Sequence, residues 1–114
     1  MFHFMVRWKF AQGSTAGMVS HPHGREAQSR ALVESFGGKL HSYYFTLGEF
    51  DGLAIGVLPD LTSSVAMGMA ATSTGAFLAW ETTALMTSEE ATVAMRQAHD
   101  TNTAYRPPNA QIDS

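Results

Sequence analysis

Tyr43-Tyr44-Phe45-Thr46-Leu47-Gly48-Glu49-Phe50-Asp51-Gly52, running directly into Leu53-Ala54-Ile55-Gly56-Val57-Leu58-Pro59-Asp60, decides the fold. Aromatic and β-branched side chains on both sides of a short Gly- and Asp-containing connection read as two strands of a hairpin. Pro59-Asp60 behind the second strand reads as a helix entry, because proline fits the first turn and an Asp side chain can cap it. Working back from this hairpin, residues 39–47 form its first strand. Gly37-Gly38 before them supplies a left-handed stop for a helix over residues 25–36, which carries Ala27, Ala31, Leu32, Ser35 and Phe36.

At the amino terminus Phe2, Phe4, Val6, Trp8 and Phe10 share one parity, while His3, Met5, Arg7 and Lys9 share the other, a period of two that marks a strand. Gln12-Gly13-Ser14-Thr15-Ala16-Gly17 reads as loop. Beyond the hairpin, Leu61, Val65 and Met69 recur at i, i+4 and i+8 of a second helix that ends at Gly75. Residues 76–86 read as a fourth strand. Thr87-Ser88-Glu89-Glu90 is a capping-box pattern that opens a further helix with Val93, Ala94, Met95 and Ala98. The order is βαββαβ plus a carboxy-terminal helix: an α+β, ferredoxin-like domain over residues 1–100 with a four-stranded antiparallel sheet. Residues 101–114, with Pro107-Pro108 and no periodicity, are expected to be an extended or disordered tail.

Composition narrows the function classes. Charged residues make up only 15% of the 114-residue chain, well below the usual quarter. So weakly charged a surface predicts self-association. A net charge of −3 with seven scattered Lys and Arg argues against a nucleic-acid partner. Cysteine is absent, which removes thiolate chemistry, disulfides and Cys-ligated metals. Residues 65–80, broken by Thr72-Ser73-Thr74-Gly75, are too short to span a bilayer, so no membrane is expected and a cytoplasmic location is the default. One face of the sheet is left without helices. Tyr43, Phe45, Leu78 and Trp80 are expected to need cover there, which a second copy packed face to face would provide.

Several motifs are characteristic when taken together: Lys9-Phe10-Ala11-Gln12-Gly13, Gly37-Gly38-Lys39, Thr46-Leu47-Gly48-Glu49-Phe50-Asp51, Pro59-Asp60, Gly75 and Thr82-Thr83-Ala84. On these residues, from about position 4 to 91, the chain resembles the GYD-domain family of small bacterial proteins. Phe50 departs from the pattern, standing where the eponymous tyrosine is usual. The resemblance implies a ferredoxin-like protomer and a dimeric α/β-barrel, and it brings no established activity or cofactor.

The candidates for chemistry are few. Asp51 can either tie the hairpin through backbone N–H groups or serve as a base at a pocket mouth. His41, with Tyr43 and Tyr44 beside it, could transfer a proton or hold haem. The more economical reading is a hydrogen-bonded histidine near a sheet edge. His21 and His23 flank a proline, but a metal needs three or more ligands and no further cluster supplies them, so no metal is expected. Met67-x-Met69 is too poor a spacing for copper. Arg7 and Glu81 should meet across neighbouring strands as an ion pair. No phosphate loop, nucleophile elbow or zincin helix occurs. Three functions remain in contention: a module binding a small hydrophobic ligand or a partner, a cofactor-independent enzyme of monooxygenase or isomerase type, and a haem- or copper-handling protein. A cavity is expected under the second helix, where Ala66, Gly68, Ala70 and Ala71 leave room beside Met67 and Met69, with His41, Tyr43 and Tyr44 as the nearest polar groups. Titratable side chains converging in one pocket would mark the enzyme, and a smooth apolar pocket the module.

Overall fold

The computed structural model describes residues 1–108. Four strands, β1 (Phe2–Phe10), β2 (Lys39–Phe45), β3 (Gly52–Leu58) and β4 (Phe77–Leu85), form one antiparallel sheet in the order β2-β3-β1-β4. Two crossovers through helices produce this order, which is the ferredoxin-like arrangement. The helices are α1 (Gln12–Ser20), α2 (Glu26–Ser35), α3 (Leu61–Thr72) and α4 (Ser88–Asp100).

The parity of β1 sets the core. Phe4, Val6 and Trp8 are buried beneath the helices, where they meet Val33 of α2, Leu40 of β2, Ala54 and Leu58 of β3, and Met67 of α3. Glycines on β3 make room for the large rings of β1. A Cβ on Gly52 would stand 2.4 Å from Trp8 Cζ2, and one on Gly56 would stand 2.4 Å from the Lys39 carbonyl oxygen and 3.0 Å from Phe4 Cζ. Gly37, at φ +82°, closes α2 by donating to the Glu34 carbonyl while Gly38 donates to that of Val33, a left-handed helix stop of the expected kind. Asp60 caps α3 by accepting from the Ser63 N–H at 2.8 Å. Thr87 and Glu90 complete the capping box of α4.

Three expectations are corrected. The stretch from Gln12 begins a helix rather than a loop. Gly13 and Gly17 give α1 no apolar periodicity, and it is held instead by hydrogen bonds from Ala11 N and Ser14 Oγ to the Ala76 carbonyl, both at 2.9 Å. Tyr43, Phe45 and Trp80 do not lie on the uncovered face. Trp80 pairs with Trp8 in register and Tyr43 with Ala54, so both share the helix side with Trp8; the Trp8–Tyr43, Trp8–Trp80 and Phe10–Phe45 ring centroids lie 5.4, 6.3 and 6.0 Å apart. Register breaks at His41 on β2 and at Leu78 on β4 explain the difference, since one extra residue inverts the parity beyond it. Finally, Leu61, Val65 and Met69 are not the buried stripe of α3. They are 62, 49 and 66% exposed, and the helix seats itself on Ser64, Met67 and Ala71.

Residues 101–108 carry neither helix nor strand, and the rest of the expected tail lies outside the described residues. Among the described residues no helix is long and apolar enough to cross a membrane.

Candidate functional site

A hollow follows from the way α3 sits. Because the helix rests on Ser64, Met67 and Ala71, its second apolar stripe overhangs the outer strand β4. A groove of about 490 Å³ opens between them. Leu61, Ser64, Val65, Gly68, Met69 and Thr72 form the helical wall, and Phe2, Trp80, Thr82 and Ala84 the sheet wall. Among the described residues no Asp, Glu, His, Lys or Arg lines it. Its polar atoms are hydroxyls and the indole of Trp80, whose Nε1–H is buried without a hydrogen-bond partner. Gly68 is what lets the helix approach that ring, since a Cβ there would stand 3.1 Å from Trp80 Nε1. The expected position under the second helix is thus occupied by a groove that includes Gly68 and Met69. Its walls hold none of His41, Tyr43 and Tyr44, which were expected as the polar groups nearby.

Those candidates are dispersed. Asp51 ties the hairpin to β1: the Phe10 N–H donates to Asp51 Oδ2 at 2.8 Å, and the Asp51 N–H donates to the Trp8 carbonyl at 2.8 Å. Within the hairpin the Thr46 N–H donates to the Asp51 carbonyl at 2.9 Å and Thr46 Oγ1 to that of Phe50 at 2.6 Å. The Thr-x-x-x-Phe-Asp part of the motif is therefore a backbone clasp joining three strands. Tyr43 lies half-buried against Trp8 on the helix side. Burial pushes its hydroxyl above the ordinary phenol value, with Ser29 and then Arg25 pulling the other way. Tyr44 is exposed, and register pairs it with Leu53 on the opposite side of the sheet from Tyr43. His41, in the β2 bulge, lines a separate recess of about 200 Å³ with His3, Ile55 and Leu85. No hydrogen bond joins any two of the four among the described residues.

The uncovered face has its own centre. Arg7 Nη2 donates to Glu81 Oε1 across the β1–β4 pair, as their register requires. The Arg7 guanidinium also lies 4.3 Å from the centroid of the Phe50 ring, with Lys9 Nζ at 5.7 Å, so the ring's electron-rich face meets two cations. Met5, Leu53, Ile55 and Leu85 surround this centre, half-buried or exposed. His21 and His23 stay in the solvent-exposed loop between α1 and α2, His23 Nδ1 lying 2.7 Å from the His21 carbonyl oxygen. Met67 is buried and Met69 exposed, so their thioethers diverge. Among the described residues no three His, Asp or Glu side chains are grouped to hold a metal ion.

These features define a ferredoxin-like α+β domain with one bare sheet face and, among the described residues, a groove without charged side chains under its second crossover. The GYD domain family matches residues 4–95, and the chain belongs to that family. No curated protein and no solved structure matches it.

Sequence reasoning missed the sheet wall of the groove. The signal was present in α3, which has no charged residue and is apolar on two sides, Ser64-Met67-Ala71 and Leu61-Val65-Met69. A helix apolar nearly all round has more surface to cover than one sheet face can take.

Proposed function

We propose that this GYD-domain protein is a binding module that holds a small hydrophobic ligand in the groove between α3 and β4, and that it works as a homodimer packed through the uncovered sheet faces. The observation that carries the reading is the groove's lining: apolar walls, a few hydroxyls and no titratable side chain. That is the usual design for binding without chemistry. Acid–base catalysis needs a proton-transferring group within reach of a bound substrate. The candidates for that role lie elsewhere, Asp51 already holds the Phe10 N–H, and burial disfavours ionisation of Tyr43. The alternative, a cofactor-independent enzyme, would have to use the His41 recess, which both His3 and His41 line.

The dimer rests on Met5, Leu53, Ile55, Tyr44 and Leu85 of the bare face, with Arg7–Glu81 setting its register. A cytoplasmic location goes with this reading and is checked by cell fractionation.

Native mass spectrometry of the freshly purified protein tests the ligand. A co-purifying apolar mass is expected, and Gly68→Leu, which drives a branched side chain toward Trp80 Nε1, should release it while leaving the dimer intact. Retention of the same mass by Gly68→Leu would place the ligand elsewhere.

A further inference from the structure

The carboxy-terminal helix α4 is the least supported element of the molecule. It buries no residue, although Ala91, Ala94, Met95 and Ala98 fall at i, i+3, i+4 and i+7 and form one apolar stripe. Met95 is 67% exposed. A 13-residue helix gains little stability from its own hydrogen bonds in water and depends on packing of such a stripe.

A second unpartnered apolar surface lies on the same chain. The groove beside α3 is a trough with Leu61, Val65 and Met69 on its lip, all substantially exposed. A ligand lying in it would remain partly in water, whereas ligand sites cover most of their occupant. The trough lacks a roof, and α4 is a helix without a floor.

The two do not meet within one chain. Only Met86 and Thr87 separate β4 from α4, and the capping box fixes the first turn. Glu90 Oε1 lies 3.6 Å from His3 Nε2, and His3 belongs to the parity of the uncovered face. The helix therefore departs from the side of the sheet opposite its own groove, which is the side where a second copy packs in the dimer proposed above.

We infer that α4 of each protomer docks on the α3–β4 groove of a second copy and roofs it, so that each binding site is built by two chains. The fit is chemical as well as topological. α3 carries no charge, and the α4 stripe is mostly alanine, which allows close approach of the helix axes. Met95 supplies the one long adaptable side chain to enter the trough. The stripe from Ala91 to Ala98 is about 10 Å long, within a helix of about 20 Å. A two-fold operator repeats it, so the two arms add to the sheet–sheet contact toward the ~1,600 Å² that a specific interface buries. The roof rests on the ligand-site reading above, but the docking itself does not require a ligand.

The test uses the absence of cysteine from the chain. In the full-length double variant Val65→Cys with Met95→Cys, the two introduced thiols are the only ones present. Mild oxidation is expected to yield a disulfide-linked dimer as the major species on a non-reducing gel, and mixing two differently tagged copies should yield the mixed dimer. Each single variant should give far less, which separates the Val65–Met95 contact from chance pairing of like thiols. A disulfide closed within one chain, running as a compacted monomer, would show that α4 folds back on its own groove and would overturn the proposal. So would a protein with a native circular dichroism spectrum that forms no disulfide. Moving the α3 cysteine from Val65 to Met69, with Met95→Cys kept on α4, checks the register along α3 and should also crosslink. If the crosslinked dimer forms but no apolar mass co-purifies, the docking stands and the ligand reading fails.

Discussion

Replacing Asp51 by alanine separates a structural carboxylate from a catalytic one. Its Oδ2 accepts the Phe10 N–H at 2.8 Å in a partly buried position where β1 leaves the sheet. The Asp51 main chain, through the Trp8 carbonyl and the Thr46 N–H, survives any substitution. The variant therefore loses one charge-assisted bond and leaves a peptide donor without its partner. Such a bond contributes about 2 kcal/mol. For a domain of about 100 residues, 1 kcal/mol displaces Tm by roughly 4–8 °C, so Asp51→Ala should melt about 8–16 °C below the native protein. Asp51→Asn keeps an acceptor but not its charge, and charge roughly doubles the strength of the bond; it should recover about half of the loss. The assay is thermal unfolding followed by circular dichroism at one fixed protein concentration, because association would otherwise move Tm by mass action. An Asp51→Ala protein melting with the native one, or an Asp51→Asn protein no better than Asp51→Ala, would refute the clasp. Unchanged melting with lost ligand binding would return Asp51 to the list of site residues.

Gly56→Ala should be more damaging than Asp51→Ala in the same assay, because the added carbon would stand 2.4 Å from the Lys39 carbonyl oxygen and backbone cannot yield cheaply; a near-native Tm would show that β2 and β3 slide more freely than the register implies. Thr87 bonds hold the Glu90 carboxyl below its ordinary value, first through the Thr87 backbone. A depressed carboxyl stabilises α4 at neutral pH, and the contribution is lost as pH falls through the lowered value. The protection factors of α4 amides, which are exchange rates taken relative to the intrinsic rate at each pH, should therefore fall in acid in the native protein, and Glu90→Gln should flatten that dependence. Light scattering should return a dimer for the native protein, as proposed, and a monomer for Ile55→Asp on the bare face, since the carboxylate loses hydration in a sheet–sheet contact; a native monomer would overturn the proposed dimer, and an unaltered dimer would move the interface elsewhere.

The fold was legible because its signals were local and redundant. The parity of Phe4, Val6 and Trp8, the Gly37-Gly38 stop, the Asp60 cap and the Thr87–Glu90 box each act within a few residues, and each appears where the pattern puts it. The errors share a different cause. Bulges at His41 and Leu78 inverted the parity of β2 and β4, and no local pattern announces an extra residue in an otherwise apolar strand. Leu61, Val65 and Met69 formed a credible core stripe, yet Ser64, Met67 and Ala71 packed better because small residues let α3 lie close to Trp80. The groove was half legible for the same reason. Its small residues were visible in α3, while its far wall depended on which side of β4 faced the helix.

Both bulges lie on the outermost strands, β2 and β4. An outer strand with an uninterrupted ladder invites a stranger's strand to add to it, and each addition exposes a fresh rim for the next. A chain so poor in charge is especially open to such growth into fibres. Here a recruit aligned with either rim meets a skipped residue within a few positions and loses its ladder. The face and helix contacts proposed above are left as routes of assembly, and contacts of that kind saturate after a fixed number of copies. The two extra residues that hid the strand parity from the sequence thus also favour a finite assembly over an endless one.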